Sequence, residues 1–327
     1  MEAVTVKQEQ LKQGERQNFL FLSRQAVDRI VGWMMSLLMV AASLLLVWIA
    51  LVLLVRAWPI FGSRPLAEVL FSTVWRPMHG AFGYWPFIMG TLWVTSVSMV
   101  VAIPICLLAA IYLAEYASPR LYAIVKPLID VSAGIPSVIY GIWGVLLVVP
   151  LVQTIINSDI GRRLSVFPIF KTENPTGYGI LAGGLVLAVM VFPIVISVAE
   201  EVIRSVPQGL REASWALGAT RWQTIKRVVL RRAAPGVIAA TVLGFSRAFG
   251  ETMAVMMVVG NMPQVPQSVF DAAYPLTALI ANNYGEMMSI PLYDSALLGA
   301  AFVLLLLVVG FNLVARLVLM RLTRRRV

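Results

Sequence analysis

The chain is short of charge, of histidine and of cysteine. Charged residues make up 13% of its 327 positions, and there is one histidine, His79, and one cysteine, Cys106. A soluble domain carries roughly twice that charged fraction, so a water-facing globule is excluded. A single cysteine excludes an internal disulfide and a thiolate metal cluster, and no metal site is expected. Cys106 lies in an apolar run and reads as a small core hydrophobe. No Gly-Lys pair occurs anywhere, so no loop of the Gly-x-x-x-x-Gly-Lys-[Ser/Thr] kind can cradle a nucleotide phosphate.

Long apolar runs take the place of charge. Mean hydropathy is +0.84. Residues 30–55, 131–158, 174–199 and 295–315 carry no charge, and in 77–114 only His79 can titrate. Each run reaches the roughly 20 residues that cross a hydrocarbon core as a helix. A sixth, 233–259, is equally long but contains Arg247 and Glu251. The runs are continuous rather than alternating, which excludes a β-barrel. The first is too long for a signal-peptide core and follows a polar leader. The expected fold is an all-α, polytopic membrane protein with six transmembrane helices, over about 30–55, 85–113, 121–150, 179–199, 233–259 and 295–316. These make a transmembrane domain, 30–320, between a leader, 1–29, and a basic tail, 321–327.

Six spans place both termini on one side. That side receives nineteen Lys and Arg, the other six, and Arg247 lies within a span. The positive-inside rule assigns the richer side, with both termini and the long 200–232 loop, to the cytoplasm of the cell (inner) membrane. The net charge of +10 is then a topology signal, and no nucleic-acid partner is expected. Trp58, Trp75 and Trp85 read as interface anchors. Residues 152–178, with Asn157, Asp159, Lys171 and Glu173, form an outer insertion. Span three holds Asp130 near its cytoplasmic end and Gly134-Ile135-Pro136, a proline kink that membranes accept beside a neighbouring helix or a polar cavity.

The 200–232 loop holds seven basic residues around Trp215, Ala216, Leu217 and Trp222, flanked by Arg211, Arg221, Lys226 and Arg227. Such an amphipathic helix suits either a partner's groove or an anionic lipid surface. Gly218 permits a close backbone approach or a helix-ending turn. In span five the four-residue spacing of Arg247 and Glu251 puts both on one helix face, where they pair. Two charges at that depth cost several kcal/mol on most scales and mark a polar pathway by default; a purely structural pair is the alternative. Gly244, Ser246, Ala248 and Gly250 keep this helix slim beside a solute. The guanidinium fork suits a tetrahedral oxyanion. Glu251 favours a protonated phosphate, which donates a hydrogen bond, over sulfate, which has no proton to give.

Glu212-Ala213-Ser214, then Gly218, Val228 and Leu230, resemble the Glu-Ala-Ala…Gly coupling motif of ABC importer permeases. Ser214 stands in place of the third alanine and Arg231 in place of the usual proline. More widely, 83–95, 110–116, 126–141, 209–224, 247–255 with Gly260-Asn261, and 276–286 resemble the phosphate ABC importer permease family over about 30–320. The resemblance implies a type I importer fold working by alternating access, with Glu212, Ala213, Ser214 and Gly218 facing the ATPase. Implied partners are a second, distinct permease, two copies of a cytoplasmic ATPase that uses ATP and Mg, an extracytoplasmic phosphate-binding protein, inorganic phosphate and membrane lipid. It also implies that Arg247 and Glu251 matter for phosphate movement, and that the chain itself is no enzyme and binds no cofactor. A sulfate, molybdate or phosphonate permease is the nearest alternative, and a non-transporting scaffold a more distant one.

Overall fold

The computed structural model describes the backbone of residues 2–171, 174–286 and 290–324, with side chains over 27–321 of those stretches. Glu173 of the outer insertion, the last residues of the basic tail and the side chains of leader residues 1–26 lie outside it. The chain divides into two units, 1–55 and 56–327. The first is the greater part of helix α1 (Glu2–Ser63). Most of its described apolar side chains are exposed, Leu37, Leu45 and Trp48 among them, as suits a helix dissolved in lipid.

The second unit begins with the last turns of α1, a short α2 (Leu66–Phe71) and a two-residue hairpin, β1 (Trp75–Arg76) with β2 (Ala81–Phe82). Trp75, expected as an interface anchor, packs within the chain as well. Its ring stands 4.9 Å from Phe87 and 5.4 Å from Phe82, in a cluster with Tyr84, Tyr274 and Tyr293. Beside it the Tyr84 hydroxyl donates to the Ala296 carbonyl at 2.7 Å. Aromatic pairing fixes this end of the unit.

Helix α3 (Trp85–Ile111), extended by a π-helical turn at Tyr112–Tyr116, packs against α8 (Ile180–Arg204) as the central pair. Small residues make the approach close: a Cβ on Gly184 would meet Val97 at 2.6 Å. In lipid, where apolar burial drives little, such dispersion contacts hold helices together. Val94, Met99, Ala102 and Cys106 of α3 meet Leu187, Val191 and Val195 of α8 in this core.

The expected third span, 121–150, is two elements. Helix α4 (Pro119–Ser132) ends where 133–136 leaves helical geometry, and α5 (Ser137–Trp143) starts a new run. That run passes through a π-turn into α6 (Val149–Asn157), and Ser137–Asn157 is the stretch long and apolar enough to cross. Pro136 has no N–H to give and pushes Ile135 out of the α region, so the kink is a full break. The Tyr140 hydroxyl bridges it, donating to the Ser132 carbonyl at 2.9 Å. A short α7 (Asp159–Leu164) follows.

Beyond α8 come α9 (Gln208–Ala216) and α10 (Arg221–Thr224), then a π-turn leading into α11 (Leu230–Phe249). The fifth span starts earlier and ends earlier than the expected 233–259: it runs Arg221–Phe249. Thr220 and Gln223 form a reciprocal capping box that starts the helix inside the basic loop. Gly250, Glu251 and Thr252 break it, and α12 (Met253–Val258), α13 (Leu276–Asn283) and α14 (Tyr293–Arg324) complete the unit. Six helices are long and apolar enough to cross a membrane among the described residues.

Candidate functional site

Helix α9 carries Glu212, Ala213 and Ser214, and its outer side is bare. Trp215 and Trp222 are half-exposed, and Leu217 is 89% exposed. Glu212 is exposed, whereas Ser214 turns inward with its Oγ 2.9 Å from Thr224 Oγ1. Gly218 sits at φ +79° with nothing within 4 Å of where a Cβ would be. Within this chain it makes the left-handed turn that ends α9.

Arg211 belongs to the inside of this element and not, as the flanking charges suggest, to its rim. Its side chain is 8% exposed, and its Nη2 lies 2.8 Å from Oε1 of Glu115, itself 7% exposed. It also donates to the carbonyls of Ile203, at 3.0 Å, and Val206. Arg221 stacks over Tyr116 at 4.5 Å and donates to the Glu115 carbonyl. One buried guanidinium thus ties α9 to the C-terminal ends of α3 and α8. Glu115 lies 96 residues from Arg211, and no local sequence pattern marks the pair.

A second charge cluster fastens α4 to α8. Lys126 Nζ donates to Ser197 Oγ at 2.9 Å and lies 3.4 Å from Glu200 Oε2 and 3.5 Å from Asp130 Oδ1. Ser197 Oγ donates to Asp130 at 2.8 Å. Arg204 reaches Glu200 at 3.4 Å and lies over the Tyr122 ring at 4.2 Å. Glu200 is 1% exposed, and a buried carboxylate persists only while it is paired. Lys126→Met leaves it with one half-exposed partner, and about 2 kcal/mol of stability is lost, below the range for a fully buried pair because Arg204 remains. Thermal unfolding of the purified protein in detergent reads this as a lowered midpoint, smaller for Asp130→Asn.

Arg247 lies in the last turn of α11, exposed from this chain, and Glu251 follows the break. The expected ion pair does not form: no contact between the two is among the ion pairs of the described residues. A four-residue spacing gives a shared face only while the helix continues, and here it stops at Phe249. Glu251 Oε1 instead accepts from the Ala254 N–H at 3.1 Å, at the start of α12, and the Glu251 carbonyl accepts from Thr277 Oγ1 at 3.0 Å. The small residues before the break serve packing. A Cβ on Gly244 would meet Val195 at 2.5 Å, Ala248 is buried, and Ser246 bonds Asn312 of α14 at 2.8 Å. Of the four, only Gly250 is exposed.

Arg247 thus lies in a span with no carboxylate partner among the described residues, and Trp215, Leu217 and Trp222 are likewise left uncovered by this chain. A protein-family model described as "Binding-protein-dependent transport system inner membrane component" matches residues 102–327, and the chain belongs to that family. It is 36% identical over 296 residues to the "Phosphate transport system permease protein PstC" of Xylella fastidiosa, covering 88% of this chain and 90% of that one. It is equally identical over 305 residues to the "Probable ABC transporter permease protein YqgH" of Bacillus subtilis, covering 91% and 93%. Among solved structures, an inward-facing MetNI methionine ABC transporter matches with TM-score 0.54 at 18% identity, over 76% of this chain and 99% of that chain. That likeness carries the fold, a type I importer permease. The chain is a multi-pass inner-membrane component and not an enzyme; ATP hydrolysis belongs to separate subunits.

Proposed function

We propose that this chain is the permease subunit of an ATP-driven importer of inorganic phosphate, working by alternating access with a second, distinct permease. The observation that carries the reading is Arg247, exposed from the chain and free of any carboxylate in the described residues. A fixed cation on the face left for a second permease attracts an oxyanion and binds it through its planar fork. The names of the relatives support phosphate in particular. The complex holds two copies of a cytoplasmic ATPase, using ATP and Mg, and one of them docks on the α9 surface of Trp215, Leu217 and Glu212, with Gly218 setting its end. An extracytoplasmic phosphate-binding protein delivers the anion, lipid surrounds the spans, and both termini face the cytoplasm.

Because Glu251 is not spent on Arg247, its carboxylate remains available to accept a proton-bearing phosphate oxygen and to repel sulfate. The test is uptake of radiolabelled phosphate by the complete importer in liposomes, with sulfate as competitor. Phosphate is carried and sulfate competes weakly, and in Glu251→Gln sulfate competes about tenfold better, the scale of one lost discriminating contact. Sulfate, molybdate or phosphonate carried in preference to phosphate refutes the assignment. An unchanged preference in Glu251→Gln refutes the role of the carboxylate.

A further inference from the structure

The last two turns of α11, from Leu243 onward, present three different sides. At about 100° per residue, Gly244 and Ala248 fall on one side, Phe245, Ser246 and Phe249 on a second, and Leu243 and Arg247 on the third, which Gly250 continues. The first side is packed on α8. A Cβ on Gly244 would meet Val195 at 2.5 Å and Val191 at 3.0 Å, and Ala248 is buried in the same core. The second side is packed on α14. Phe245 and Phe249 stand 4.6 Å and 5.4 Å from the Phe311 ring, and Ser246 Oγ donates to Asn312 Oδ1 at 2.8 Å. The third side is left uncovered by this chain: Leu243, Arg247 and Gly250 are all exposed.

Asn312 is a polar residue in the apolar run 295–315. A side-chain amide is kept at membrane depth where it has partners, and a polar contact between helices is one of the few forces that orient them in lipid. Its Nδ2 donates to the Val308 carbonyl of its own helix at 2.9 Å, while Oδ1 accepts from Ser246. The ring contacts hold α11 and α14 together. The hydrogen bond, which weakens steeply off its axis, fixes the rotation of one helix against the other. Arg247 makes no hydrogen bond or ion pair of its own among the described residues, so its direction is set by the helix that carries it.

We propose that Asn312 is a positioning residue for Arg247. Its hydrogen bond to Ser246, beside the Phe311 contacts, fixes the roll of α11 and so aims the guanidinium at the uncovered side, where the anion passes. This rests on the reading of Arg247 as the pathway cation. It gives α14 a part in transport although no charged side chain of that helix takes part in the site.

The experiment measures phosphate uptake by the reconstituted complete importer. Asn312→Leu keeps the bulk and removes the amide without orphaning its partner, because Ser246 Oγ also lies 3.0 Å from the Val242 carbonyl, which takes the proton. Membrane yield and copurification of the ATPase therefore stay at wild-type levels. The maximal rate falls about tenfold, the scale of one misdirected charge-assisted contact. KM is unchanged, because the binding protein captures the anion before this chain meets it. Solute-stimulated ATP hydrolysis continues. The exchange of Ser246→Asn with Asn312→Ser re-forms the contact with its partners reversed and returns the rate to within about threefold of wild type. A wild-type rate in Asn312→Leu, a failed rescue, or loss of stimulated hydrolysis together with uptake overturns the proposal.

Thiol labelling follows the roll itself without requiring transport. Arg247→Cys and Ala248→Cys are each treated with a water-soluble thiosulfonate in the assembled importer; the one native cysteine, Cys106, is buried. Position 247 reacts at least about tenfold faster than position 248, and Asn312→Leu brings the two within about threefold. An unchanged ratio equally overturns the idea. Arg247→Gln run alongside separates the two failures. Normal uptake there removes the pathway reading itself, whereas impaired uptake there with an unaffected Asn312→Leu removes only the role of Asn312.

Discussion

Arg247→Gln reduces phosphate uptake by about a hundredfold, the effect of losing a bidentate charge-assisted contact worth roughly 3 kcal/mol. The substitution leaves folding intact, since the side chain is exposed and makes no ion pair or hydrogen bond with the described residues. Membrane yield and copurification with the ATPase therefore stay at wild-type levels while transport falls. Arg247→Lys keeps the charge but not the planar fork, and recovers about a tenth of the activity. Stimulation of ATP hydrolysis by the loaded binding protein is retained in both variants, because the coupling helix is untouched. Wild-type uptake in Arg247→Gln would remove Arg247 from the pathway.

Arg211→Ala has the other large effect, and its signature is the reverse. Removing the guanidinium leaves the buried Glu115 carboxylate without its counter-charge and the Ile203 and Val206 carbonyls without a donor. Breaking a buried pair on one side costs about 3–5 kcal/mol. The anchored helix carries the exposed Trp215–Leu217 surface, so the loss falls first on ATPase docking. Copurification of the ATPase drops, and solute-stimulated hydrolysis disappears. Glu115→Gln combined with Arg211→Met removes both charges and restores much of the stability, since the penalty arises from the orphaned charge more than from the missing attraction. A double variant as unstable as Arg211→Ala would show that the carbonyl contacts, and not the pair, carry the effect.

The limits of sequence reading fall where local pattern gives way to long-range contact. Apolar runs such as 30–55 and 174–199 announce their helices because lipid rewards an unbroken length of side chains whatever their neighbours. The charge asymmetry of the loops is equally local. At span three, hydropathy continues smoothly through residues that backbone chemistry does not allow to be helical: Gly134 and Pro136 divide an apolar run into an amphipathic α4 and a crossing helix. At span five the capping box at Thr220 could have been found, since Thr-x-x-Gln is a recognised start signal, but basic residues on both sides disguised it as loop. The Arg247 to Glu251 spacing misled because it presumed a helix that Gly250 ends. The cluster around Trp75 carried no local signal, because its aromatic neighbours Phe87, Tyr274 and Tyr293 lie elsewhere in the chain. Glu115 and Arg211, or Lys126 and Glu200, carry no signal of their partnership at all; only the packing of α3, α4 and α8 brings them together.

The helix restarted by Thr220 continues through a π-turn from Arg221 to Phe249, 29 residues and hence about 43 Å. One end lies beside the surface on which an ATPase would push, the other holds Arg247. A tilt of about 5° at the driven end sweeps the far end through roughly 4 Å over that length, more than the diameter of a water molecule. On the proposed function, the stroke and the anion-receiving cation are two ends of a single lever, and the distance between them sets its mechanical gain.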